Sequence, residues 1–129
     1  MAKLFFHNRD ELVTIDTSLV AAVKACGNYS QVVYITKRMT MITEGIGNLE
    51  TLLKKHNTEE DRFVRIGRSI IINHRYLYRI DLIKQQVVLW DGGDCEIRIT
   101  IAKNVLKAYK NAVVKSEEIK AERNHNLNK

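Results

Sequence analysis

FVRIGRSIIINHRYLYRI, residues 63–80, sets Arg65, Arg68, Arg75 and Arg79 among apolar residues of strand character, with three consecutive isoleucines at its centre. β-Branched residues favour the pleated backbone of a strand. Residues 63–66 and 70–72 therefore read as strands, and Gly67 between them permits a bulge or a sharp bend. Residues 76–83 read as a further strand, which puts Tyr76 and Tyr78 on one face. Arginines carried on such a backbone are already oriented, and their planar forks bind phosphate or guanine edges bidentately. Arg68 projects beside the bend while Ile70 to Ile72 anchor it. Arg65 and Arg68 each admit two readings, a DNA contact or an ion pair with an acid such as Asp61 or Asp81, evenly balanced for Arg65 and weighted toward DNA for Arg68. Asn73 ends the apolar run and suits a structural asparagine bonded to local backbone. His74 reads as a surface residue.

Outward from this window the pattern stays strand-rich. Residues 4–7 and 11–15 flank the turn Asn8-Arg9-Asp10, and 20–26 and 29–36 flank Gly27-Asn28, a two-residue hairpin signal. Residues 41–46 supply a third arm. A short helix follows, with Asn48 as its cap, Leu49, Leu52 and Leu53 on one face, and Asn57 at its stop. Downstream, 87–90 and 95–101 flank Asp91-Gly92-Gly93-Asp94, and Cys95, Ile97, Ile99 and Ile101 alternate with polar residues. From Lys103 the period becomes helical, with Val105, Leu106, Tyr109 and Val113 on one stripe that fades near Glu118. The expected fold is mainly β: antiparallel sheets with one small inner helix and a C-terminal helix. Residues 1–114 form the domain, and 115–129 form a polar tail that frays.

The chain has 129 residues, 45% of them hydrophobic, which is enough for one core. No apolar run approaches the roughly 18 residues that span a bilayer, and the N-terminus lacks a signal-peptide core. A cytoplasmic protein without a membrane segment is expected. Cys26 and Cys95 read as small buried residues. The four histidines are scattered, so no metal and no cofactor is expected. Residues 1–62 carry eight Lys/Arg and eight Asp/Glu, whereas 63–129 carry thirteen and seven, so the whole +6 lies in the second half. That asymmetry suggests one electropositive face.

Catalytic patterns are missing. Gly45-Ile46-Gly47 lacks the third glycine and the preceding buried strand of a phosphate-cradling loop. Ser69 lacks the tight glycine turn of a nucleophile elbow. No enzymatic activity is expected.

The central window resembles the signature of the LytTR-type DNA-binding domains, Phe-x-Arg-Ile-His-Arg-Ser-x-x-Val-Asn. Phe63, Arg65, Ile66, Arg68, Ser69 and Asn73 match it in order, and Ile72 is a conservative change. Gly27-Asn28-Tyr29 matches the family's upstream hairpin, and 48–55 its Leu-rich helix. The resemblance covers roughly residues 3–113. It departs at Gly67, where the family has histidine, and at Thr100-Ile101, where the family often has Ser-Arg.

The resemblance implies duplex binding through loops that enter the major groove at direct-repeat sites, with two copies, a homodimer on DNA. The loops would be those around 28–31, 65–69 and 100–104. The residues expected to contact DNA are Asn28, Ser30, Gln31, Arg65, Arg68, Ser69, Arg75 and Lys103. Many members carry a further domain ahead of this one, so the chain is read as a stand-alone regulator or an excised piece. In a stand-alone regulator, control would fall to another, unidentified protein, a ligand or expression level. Two alternatives remain from the residues themselves: a protein-interaction module with a basic face for an acidic partner, and a single-stranded RNA binder using Tyr76 and Tyr78.

Overall fold

The structure, a computed structural model, describes residues 3–127, with side chains to residue 119. Among the described residues ten strands form three antiparallel sheets. β1 (Lys3–His7) and β2 (Leu12–Asp16) make a two-stranded hairpin. Its turn is held by Asn8, whose side-chain oxygen accepts from the backbone N–H groups of Asp10 and Glu11. β3 (Val20–Cys26), β4 (Tyr29–Tyr34), β5 (Met39–Ile42), β6 (Phe63–Ile66) and β7 (Ile70–Asn73) form a five-stranded sheet in the order β5-β4-β3-β7-β6. β8 (Leu77–Asp81), β9 (Gln86–Trp90) and β10 (Glu96–Thr100) form the third sheet, with β9 at its centre.

The five-stranded sheet is the middle layer. On one face Val23, Val32, Phe63 and Ile71 pack with Leu4 and Ile15 of the hairpin and with Ile46, Leu49 and Leu53 of α1 (Ile46–Lys54). On the other face Ala22, Val33, Ile66 and Ile72 pack with Val87, Leu89 and Ile99 of the third sheet and with Leu106 and Tyr109 of α2 (Lys103–Leu127). An irregularity in the β3–β4 register between Val20 and Ala22 lets β3 serve both cores with small residues. Each fully buried large side chain contributes roughly 1.5–3 kcal/mol.

The fold class is the expected one, and the differences have local causes. α1 begins at Ile46 with Gly45 as its cap, so Asn48 lies inside the first turn and donates to Glu44 Oε2 instead of capping. Burial of Ile46 decides the start. Residues 74–76 form a 3-10 turn before β8, which separates the two tyrosines expected on one face. Tyr76 is buried and donates its hydroxyl to the Ser18 carbonyl, whereas Tyr78 is exposed. Cys26 is exposed and Cys95 half-buried, against the expectation of two buried thiols. His74 is half-buried, with Nδ1 3.0 Å from the Tyr109 hydroxyl. α2 runs past Glu118 because residues 103–127 contain neither glycine nor proline to end it.

Candidate nucleic-acid interface

The register of the middle sheet brings separate loops to one edge. β3 is antiparallel to both β4 and β7, so the Gly27-Asn28 turn and the turn at 67–69 leave the sheet at the same end. The Ala25 N–H donates to the Ser69 carbonyl at 2.8 Å and ties the two together. Gly67 then lies against Val105, in the first turn of α2: a Cβ at Gly67 would sit 3.2 Å from Val105 Cγ1. At the start of α2 the Ile101 N–H donates to the Gln85 carbonyl, 3.0 Å, which brings in the β8–β9 turn. Four chain segments thus stand in a row: 27–28, 67–69, 101–105 and 82–85.

Arg68 stands at the middle of this row, exposed. Gly67 has φ +64°, a left-handed conformation that costs other residues about 1–2 kcal/mol. The bend it permits turns the Arg68 carbonyl back toward Arg65, whose Nη2 donates to it at 2.6 Å. Arg65 Nη1 donates to Glu50 Oε1 of α1 at 3.1 Å, and Lys54 Nζ lies 2.9 Å from the other Glu50 oxygen. The hydrogen bond from Lys54, and then that from Arg65, holds the Glu50 carboxyl below its ordinary range against the opposing effect of burial. Arg65 forms an ion pair, and its partner is Glu50 rather than Asp61 or Asp81. Arg65 braces the bend that carries Arg68, and its buried Nε has no acceptor among the described residues.

The other expected contact residues divide. Asn28, Ser69 and Lys103 are exposed on the row, and Gln31 is half-buried on the rung that pairs it with Lys24. Ser30 does not fit the expected contact: it is fully buried, and its hydroxyl donates to the Glu44 carbonyl at 2.7 Å. Arg75 does not fit either, because it follows β7 and lies at the far end of the sheet. Its Nη1 is 3.3 Å from both Asp61 oxygens and 3.6 Å from Glu60, and its guanidinium lies 5.7 Å from the Tyr76 ring.

That far end is built around Asn73. Its amide donates to the Val20 carbonyl and to Asp61 Oδ1, and its oxygen accepts from the N–H groups of Arg62 and Arg75, all between 3.0 and 3.2 Å. The structural reading of Asn73 matches this arrangement. The single-strand reading loses its geometry, since Tyr76 is core.

Two cations were missed. Lys24 sits half-buried between Gln31 and Ile70 in register, and Lys84 is exposed in the 82–85 turn beside Ile83, which is 92% exposed. Both would follow from hairpin register once the strand order is known; neither lies in a motif. Among the described residues no cluster of His, Cys, Asp and Glu could hold a metal ion, and no helix is long and apolar enough to cross a membrane.

A family model described as the LytTr DNA-binding domain matches residues 10–114. Among solved structures, the chain is similar to the LytTr DNA-binding domain of a Bacillus cereus protein described as a methyl-accepting/DNA response regulator. The two are 16% identical, the TM-score is 0.56, and the match covers 88% of this chain and 97% of the other. At that identity the likeness speaks for the fold. The comparison with curated proteins gives no match.

Proposed function

Because the chain belongs to the LytTr DNA-binding domain family, we propose that it binds duplex DNA sequence-specifically as a transcription regulator, without chemistry, by setting its loop edge into the major groove. The observation that carries this reading is Arg68: exposed at the centre of the row, on a bend fixed by Gly67 and braced by Arg65. A guanidinium held in this way can meet a guanine edge with little further ordering. Asn28, Gln31, Ser69 and Lys103 flank it, and Lys24 and Lys84 extend the cationic surface. The first turn of α2 has no acidic residue, so its free N–H groups and Lys103 favour a phosphate there. Arg65 acts as a positioning residue, and Ser30 and Arg75 hold the fold.

The same reading places the binding unit within residues 1–114 and the protein in the cytoplasm. It puts two copies on a direct-repeat site. Selection of bound duplexes from a random pool yields both the target and the repeat spacing. On the selected site Arg68→Ala should weaken binding by about 1–3 kcal/mol in a mobility-shift titration and leave the melting temperature unchanged. Arg75→Ala should do the reverse, lowering stability with little effect on sequence preference. Equal loss on selected and random duplexes would reduce Arg68 to a phosphate contact. Absence of any duplex binding at low salt would overturn the reading.

A further inference from the structure

The outer face of the three-stranded sheet carries side chains that neither core uses. Register places Arg79, Val88 and Arg98 on one rung. Two arginines from the outer strands therefore flank Val88 of the central strand, over a hollow of about 180 Å³. On the next rung Trp90 pairs with Glu96, and the register irregularity between Leu77 and Arg79 brings Tyr78 against Trp90. The two rings meet edge to face, with centroids 4.9 Å apart, and both are exposed. We propose that this face is a docking surface for an extended segment of a partner protein. The segment carries a carboxylate and, two residues along, an apolar or aromatic side chain.

The carboxylate is called for by the arginines. Arg79 lies 5.6 Å from the Tyr78 ring centroid and has no carboxylate partner among the described residues. Arg98 engages Glu96 through Nε, 3.0 Å, which leaves its terminal nitrogens for a second acceptor. The apolar neighbour is called for by Tyr78 and Trp90, since exposed aromatics beside arginine are the composition of binding hot spots. The spacing follows from β9, where Val88 and Trp90 lie two residues apart on one face, roughly 6.7 Å. An extended segment repeats that spacing.

A nucleic-acid strand fits the face less well. The ring planes stand at 68° and do not form a stacking platform, and the Trp90 indole N–H is held by the Gly93 carbonyl at 2.8 Å. Trp90 lies at the end of β9 opposite the 82–85 turn, whose Lys84 closes the hollow on the side of the loop edge.

Trp90 is the sole tryptophan of the chain, so its fluorescence reports directly on this face. The experiment selects random short peptides displayed on phage against the full chain, then titrates the best peptide while following Trp90 emission. The expected result is enrichment of an acidic residue two positions from an apolar one. Arg79→Glu should weaken that peptide by about tenfold or more, the loss of a hydrogen bond to a charged group. A peptide with lysine in place of the acid should recover binding to Arg79→Glu, which separates a lost contact from a misfolded variant. Tyr78→Ser should also weaken the peptide, and both variants should bind duplex as the unaltered chain does. The proposal is overturned if no peptide is enriched above background, or if the enriched peptides bind both variants unchanged. It is also overturned if a single-stranded thymidine oligonucleotide shifts Trp90 emission and displaces the peptide. None of these outcomes bears on the duplex-binding edge, which Arg68→Ala tests separately.

Discussion

Gly67 joins backbone geometry to packing. Its φ of +64° excludes most side chains, and the 3.2 Å approach of Val105 closes the space where a Cβ would sit. Gly67→Ala should therefore destabilise the fold by about 1–3 kcal/mol, measured by urea unfolding. Adding Val105→Ala should relieve the contact and leave the backbone strain. The signature that this chain resembles has histidine here, a residue tolerated in the left-handed region; Gly67 lets α2 come closer than a larger residue would. The sequence shows the bend, because glycine between two strand-like runs implies one, but not Val105, thirty-eight positions away. Asn73 is the opposite case. Its position at the end of an apolar run was legible, and its four hydrogen bonds explain its complete burial. Asn73→Ala removes one donor from Asp61, which keeps Arg75, and leaves the Val20 carbonyl and two N–H groups without their side-chain partner; it should cost about 2–4 kcal/mol in the same assay.

Between elements, α1 and β6 are joined by one partly covered ion pair, Glu50 with Arg65. Glu50 is held below its ordinary pKa of 4.5 by Lys54 and then by Arg65. A carboxyl lowered on folding adds stability above its unfolded value, and that stability is lost as pH falls through the folded value. The stability difference between the unaltered chain and Glu50→Gln should therefore be constant above about pH 4.5 and shrink below it, as followed by thermal melts across pH. The element pattern itself was largely readable. Alternating Ile97, Ile99 and Ile101, the Gly27-Asn28 turn and the Val105–Leu106–Tyr109 stripe fix strand, hairpin and helix by period alone. Misplaced boundaries fell where burial outweighs local preference. Ile46 draws α1 three residues earlier than a cap at Asn48 would start it, and Tyr76 turns inward to reach the Ser18 carbonyl.

For the whole molecule, sheet order decides what the sequence leaves open. Arg68 and Arg75 are seven residues apart and both stood among the expected contacts, but β7 carries them to opposite ends of the sheet, Arg68 to the loop edge and Arg75 to Asp61 and Glu60. Ser30 is drawn inward by the same logic, because the β4–β5 register sets it opposite Ile42. The surplus positive charge of residues 63–129 is correspondingly split between an edge proposed to meet phosphate and cations that hold the fold. Only the edge cations should release counterions on binding. The slope of log K against log salt should thus fall by roughly 0.9 for each phosphate contact removed, visible for Lys103→Ala and near zero for Arg75→Ala. The middle sheet, covered on both faces, has a kinetic consequence. Amides of Val23, Ile71 and Ile72 sit between two separate cores and can meet solvent deuterium only when both layers come away. Those of the β1–β2 hairpin need only one layer to lift. In hydrogen exchange the central amides should therefore open at the free energy of global unfolding and the hairpin well below it, giving the small domain two distinct units of opening.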